Sequence, residues 1–289
     1  VRQPRLSWRI ESDEQNVMQT AYHILVASSA DLLAQEKGDI WDSGKIESDA
    51  SQWIAYQGKP LKRNARYYWK VKVYTNRGEA DWSAPAFWSM GLLNEADWQG
   101  QWIGLDRAAS GDSETQWSRL AARYLRKEFA LSKEVKRATV HIAGMGLYEL
   151  FINGQRIGDQ VLAPAPTDYR KTILYNTYDV TPQLRKENAI GVTLGNGRFY
   201  TMRQNYKPYK IPTFGYPKLR LNLIVEYMDG SKETIATNTS WKLTTEGAIR
   251  SNNEYDGEEY DARKELGNWT QSGYDDKSWI AAQRVSIPS

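Results

Sequence analysis

Three stretches of this chain gather residue types that can do chemistry. Glu254–Asp261 (EYDGEEYD) carries five carboxylates in eight residues. Paired carboxylates serve glycoside hydrolysis, one as acid and the other as base or nucleophile, but they must face each other across a substrate. Carboxylates adjacent in sequence do not meet that demand, and the run lacks the spacing of an EF-hand loop. Arg263 lies just beyond and can pair with a neighbouring carboxylate to pin the chain. The cluster therefore reads first as structural, then as a ligand or calcium contact, and last as catalytic. No catalytic residue is assigned anywhere in the chain.

Thr167-Asp168-Tyr169 and Gly195-Asn196-Gly197-Arg198-Phe199-Tyr200 are stronger candidates, because both follow strand-like runs as loops, where β-sandwiches place ligand groups. A sugar needs an aromatic ring under its C–H face and amide or carboxylate groups on its hydroxyls. Tyr169, Phe199 and Tyr200 supply rings, while Asp168 and Asn196 supply polar atoms. Asp168, Tyr169, Asn196, Arg198 and Tyr200 are the carbohydrate-binding candidates. Asp168 and Asn196, with backbone carbonyls, could equally hold Ca²⁺ through oxygen ligands. The competing reading is that Asn196 and its flanking glycines only make a tight turn. Tyr200–Tyr216 (YTMRQNYKPYKIPTFGY), rich in tyrosine, reads as a surface packed on a neighbouring domain or as a sugar-contacting lid.

The elements that must position these loops are short strands. Tyr148, Leu150 and Ile152 alternate with Glu149 and Phe151, and Asn153-Gly154 follows, the dipeptide suited to a type I′ turn with φ > 0 at both central residues. Further strands are expected at Tyr124–Phe129, Ala138–Ala143, Ile173–Asp179, Ala189–Leu194, Leu219–Tyr227, Glu233–Ala236 and Ser240–Thr244. In the first ~93 residues Tyr22–Ser28 and Tyr67–Tyr74 (YYWKVKVY) alternate, the latter with Tyr67, Trp69, Val71 and Val73 on one face. Asn76-Arg77-Gly78 reads as a three-residue hairpin turn, and 29–36 as a single helical turn. The predicted fold is all-β, two antiparallel β-sandwich domains: residues 1–93 of the fibronectin type III or Ig-like kind, 94–123 a linker and loop, and 124–289 a galactose-binding-like jelly roll.

Composition narrows the function classes. The 38 basic and 35 acidic residues are spread out, giving a net charge of +3 without the basic stripe that nucleic-acid binding requires. There is no cysteine, so no disulfide framework and no thiolate metal site. The two histidines, His23 and His141, sit in strand-like runs and read as structural. No apolar run reaches the ~20 residues of a membrane span. The chain starts at Val1 without methionine, which reads as a processed or shortened protein.

AYHILVAS, WDSGKIESDAS, YYWKVKVY and DWSAPAFWSMGLL in the first domain, and YLRKEFAL, YELFINGQRIGD, TDYRKTILYNTYDVT and GEEYDAR in the second, resemble the N-terminal region of bacterial family 78 α-L-rhamnosidases. That resemblance spans nearly the whole chain. It implies a parent enzyme that cleaves terminal α-L-rhamnosyl linkages with inversion in a later helical barrel, which this sequence lacks. The chain is then a non-catalytic front part that binds carbohydrate, positions the catalytic domain, or both; the alternative is a purely structural pair of sandwiches without a sugar site. A related module binds L-rhamnose with calcium, the one cofactor the resemblance brings in. The implied partners are rhamnose-containing glycans and the missing C-terminal catalytic domain. The implied setting is periplasmic or extracellular, with a cytoplasmic one left open. Arg198 and Pro166 stand where the family often has tryptophan, which removes rings from the expected platform.

Overall fold

The computed structural model describes residues 2–107, 120–200, 214–254 and 257–287. They form two units, Val1–Asp97 and Trp98–Ser289. The first holds strands β1 (Arg5–Leu6), β2 (Gln19–Ala27), β3 (Trp41–Glu47), β4 (Ile54–Ala55), β5 (Arg66–Thr75), β6 (Gly78–Trp82) and β7 (Ala86–Ser89). Strands β3-β2-β5-β6 make an antiparallel sheet with β7 also on β5, and β1 pairs with β4. Alternation in β5 has the expected effect: Tyr67, Val71 and Val73 are buried with Tyr22, Ile24, Val26 and Tyr56 in one apolar core, and Trp69 packs at its edge. A single helical turn, α1 (Ala30–Ala34), is capped by Ser29, whose hydroxyl accepts from the Leu32 amide. The β5–β6 turn is tighter than the sequence suggests, since Thr75 pairs directly with Gly78 and only Asn76-Arg77 connect them.

The second unit begins with β8 (Ile103–Gly104), then β9 (Arg123–Ala130), β10 (Val135–Met145), β11 (Leu147–Ile152), β12 (Gln155–Ile157), β13 (Asn176–Asp179) and β14 (Glu187–Gly195). It continues with β15 (Lys218–Tyr227), β16 (Lys232–Ala236), β17 (Lys242–Thr244), β18 (Ile249–Asn253), β19 (Gly257–Tyr260), β20 (Ile280–Ala281) and β21 (Gln283–Arg284). One sheet runs β13-β10-β15-β8-β21 with β16 on β15; the other runs β12-β11-β14-β9-β17-β20. All pairings are antiparallel, and the inward residues of both sheets, among them Val140, Ile142, Leu150, Ile152, Val192, Leu221 and Leu223, form a single core. The Asn153-Gly154 turn is as expected: Ile152 pairs with Gln155, and the two turn residues have φ of 51° and 82°.

Two readings of the sequence change. Residues 94–97 close the first unit, where the Asp97 carboxylate accepts from the Leu93 and Asn94 amides at 2.8 and 2.9 Å. Residues 98–105, read as linker, belong to the second unit, because β8 pairs with β15 and β21 and the Gln101 amide donates to Thr237. A two-residue strand is too short to leave a periodic signal. Residues 173–175, read as strand, precede β13 as loop. The rest of the polar loop, 108–119, lies outside the described residues. No helix among the described residues is long and apolar enough to cross a membrane.

Candidate functional site

The turn after β14 is built by close approach. A Cβ on Gly197, whose φ is +48°, would stand 2.7 Å from Leu147 Cγ, so a larger residue would have to displace that side chain. The Asn196 carbonyl accepts from the Phe199 and Tyr200 amides, and its side-chain Nδ2 donates to the Leu120 and Asn252 carbonyls at 2.9 and 2.8 Å. Its own amide donates to Asn252 Oδ1 at 2.6 Å. Asn196 is 2 % exposed, and its Oδ1 is buried without a hydrogen-bond partner. Asn196 thus does what the competing reading assigned to it, holding a tight turn against β18.

The rings follow suit. Tyr169 is 4 % exposed and Phe199 fully buried; they meet edge-on at 5.1 Å and share Phe214, with Met145 beneath. Tyr200 is buried and stacks on Tyr216 at 5.9 Å. The structure therefore brings the 167–169 and 196–200 loops together as expected, but through a small aromatic core. The expected sugar platform is corrected here: Tyr169, Phe199 and Tyr200 are buried, each against another ring, and a buried ring offers no open face to a pyranose. Of Tyr200–Tyr216, residues 201–213 lie outside the described residues.

What these loops show to solvent is charged. Arg198 pairs with Glu254 at 2.7 Å, both half-exposed. The Tyr169 hydroxyl beside them is pushed above its ordinary pKa by burial and by Glu254, with Arg198 opposing. Asp168 faces Arg170 and Lys171, each at 3.5 Å. Partial desolvation would raise its pKa, but the Arg170 amide and the two cations outweigh it and hold the carboxylate below its usual range. Glu254, 56 residues from Arg198, was legible only as one of a run of acids; its pairing leaves no local signature.

The residues do not fit calcium. Ca²⁺ takes six to eight oxygen ligands, whereas Asp168 is occupied by two cations and Asn196 offers one uncommitted oxygen. Among the described residues no three of His, Asp and Glu gather to hold a metal ion. A chelator should leave the urea unfolding midpoint unchanged, and Asp168→Asn should barely move it, because an exposed, solvent-screened ion pair contributes little. A chelator-induced fall in stability would contradict this.

The acidic run is structural. Its described members sit on the β18–β19 hairpin and on Asp261, which caps the turn Ala262–Lys264. Arg263 donates to both oxygens of Asp261 at 2.8 and 2.9 Å and, with its amide, holds that carboxyl at about 2. Residues 255–256 are outside the described set.

Fold and loops together define a tandem of an Ig-like sandwich and a jelly-roll sandwich. Residues 133–289 match the α-L-rhamnosidase N-terminal domain family, and residues 1–94 match the Rha78A-like N-terminal immunoglobulin domain. The chain belongs to the α-L-rhamnosidase N-terminal domain family. It is 42% identical to an α-L-rhamnosidase of Formosa agariphila over 98% of its own length and 32% of that protein's. Among solved structures, the α-L-rhamnosidase from Dictyoglumus thermophilum superposes with a TM-score of 0.88 at 40% identity, covering 99% of this chain and 32% of that one. The Streptomyces avermitilis α-L-rhamnosidase complexed with L-rhamnose also gives 0.88, at 25% identity over 100% of this chain and 43% of that one. This chain spans about a third of the length of the curated relatives it matches.

Proposed function

We propose that the chain is the non-catalytic front of a glycoside hydrolase that releases terminal α-L-rhamnosyl residues, and that it holds glycan and positions the catalytic part. The observation that carries this reading is the end-to-end match of both sandwiches to one third of rhamnosidases. The carboxylates argue the same way. A glycosidase acid needs a raised pKa, yet each described carboxylate that departs from its ordinary value is lowered, partial burial being outweighed by hydrogen bonds and nearby cations. The buried rings of the 169 and 199 loops favour positioning as the work of that face. A periplasmic or extracellular setting goes with this reading.

The test has two arms. The 289-residue chain alone should release nothing from an aryl α-L-rhamnoside, whereas a chimera carrying it in place of the matching third of the Dictyoglumus thermophilum protein should turn the substrate over. Hydrolysis by the chain alone would sink the reading. Calorimetric titration with L-rhamnose separates glycan holding from positioning: saturable heat supports the first, and its absence leaves only the second.

A further inference from the structure

A cleft of about 280 Å³ opens beside the edge of the second sandwich, where β8 runs out and β17 meets β20. That volume is just below the usual range of ligand pockets, roughly 300–1,000 Å³, and leaves room for one ring and not for a chain. Leu105 and Leu243, both 1 % exposed or less, form its apolar floor, and Ile280, 44 % exposed, continues that surface to the rim. Thr244, Ser278 and Glu246 line it with hydroxyls and a carboxylate, and Arg107 stands on its wall.

The charges in this cleft are unevenly compensated. Glu246 pairs with Lys264 at 3.2 Å. Asp106, beside Arg107, is engaged by the buried Lys218. Arg107 itself, among the described residues, has no hydrogen-bond or ionic partner. The 244–247 loop is held in place: Arg250 donates to the Thr245 and Gly247 carbonyls at 2.6 and 3.0 Å. Gly247 lies so close to the Tyr124 ring that a Cβ would fall 2.3 Å from it. The 244–247 side of the lining is therefore preorganised, and among the described residues the uncompensated charge is the exposed Arg107 guanidinium.

We infer that this cleft binds a single acidic sugar, a hexuronate. Arg107 takes the carboxylate through its planar fork. Glu246, Thr244 and Ser278 take ring hydroxyls, and the Leu105–Leu243–Ile280 surface meets the C–H face. An inorganic anion would leave the apolar floor and the lining hydroxyls unused. The inference rests on the carbohydrate-holding part of the proposed function and names a second place for it, away from the 169 and 199 loops.

The experiment is a titration of the 289-residue chain, followed by amide chemical shifts, with D-galacturonate, D-galactose, L-rhamnose and inorganic phosphate in turn. Galacturonate should saturate, with shifts centred on Leu105 and Thr244–Gly247, and should bind about 10-fold or more tighter than galactose, the scale of one charge-assisted hydrogen bond. Arg107→Gln should erase that preference while the unperturbed spectrum shows an intact fold, and Arg107→Lys should keep part of it. Equal binding of galacturonate and galactose, unchanged affinity in Arg107→Gln, or phosphate binding as well as galacturonate would each overturn the inference. Binding of L-rhamnose elsewhere, with none of galacturonate, would overturn this site and leave the carbohydrate reading standing. Absence of binding by every sugar would overturn both.

Discussion

Replacing Arg126 by methionine should cost the second unit about 3–5 kcal/mol, the range for leaving a buried ion pair without one partner. Arg126 lies on β9 and is 1 % exposed, yet it serves as the rivet for a segment some 145 residues later. Its Nε donates to the Trp269 carbonyl at 2.9 Å and one terminal nitrogen to the Gln271 carbonyl at 3.0 Å. The other reaches the Asp276 carboxylate, Glu128 accepts at 2.5 Å, and the Tyr274 ring lies 5.2 Å away. These bonds press Trp269 and Thr270 onto Gly191 of the neighbouring strand, where a Cβ would come within 2.9 Å of both side chains. Without the guanidinium, Asp276 and two carbonyls lose their donor, and the cover carrying Trp269 and Trp279 loosens with them. Urea unfolding followed by tryptophan fluorescence should report the loss, and limited proteolysis should cut first between 264 and 281. Lysine should recover little, since an ammonium cannot span so many acceptors in one plane. A loss below ~1 kcal/mol would show that the cover is held by its tryptophans alone.

The same segment shows which parts of this molecule were legible beforehand. Half-buried strands announce themselves by alternation, so Tyr148–Ile152 and Tyr67–Val73 could be read together with the faces they bury. The Asn153-Gly154 turn was legible because its backbone demands those two residues. Strand β14 was legible as a strand, but not the reason for its nearly continuous burial, which is the Trp269–Thr270 cover. Loop rings are a harder case. Tyr169 and Phe199 in polar, glycine-rich loops suit a sugar platform and a miniature core equally well by type. What decides between them is Phe214 and Met145, brought in from other parts of the chain. Partnerships such as Arg198 with Glu254 and Arg126 with Asp276 span 56 and 150 residues and follow only from the fold. Sequence therefore supplied the strands and the location of the loops. The direction in which each loop side chain turns is set by tertiary packing.

Acid should weaken the second unit well before its carboxylates protonate, because of His141. This residue of β10 has no solvent exposure; its Nδ1 lies 2.9 Å from Thr177 Oγ1 on β13, and its ring meets that of Tyr175 at 6.0 Å. Burial, with a smaller contribution from the Arg137 charge, lowers its pKa from 6.5 to about 4. The folded state thus binds a proton more weakly than the unfolded chain, and the unfolded chain carries the extra proton between those two values. The associated stability is complete above pH 6.5 and is lost as pH falls toward 4, a total of about 3 kcal/mol. The lowered carboxylate of Glu226 acts in a lower window, because the stability it adds is present above its ordinary value and lost only beneath it. Urea midpoints of the second unit's transition at pH 7, 6, 5 and 4.5 should fall steadily in the wild type. In His141→Asn, which keeps a polar partner for Thr177, the slope between pH 6.5 and 4.5 should flatten even if the midpoint at pH 7 is lower. An unchanged slope in that variant would mean that the acid sensitivity of this sandwich arises elsewhere.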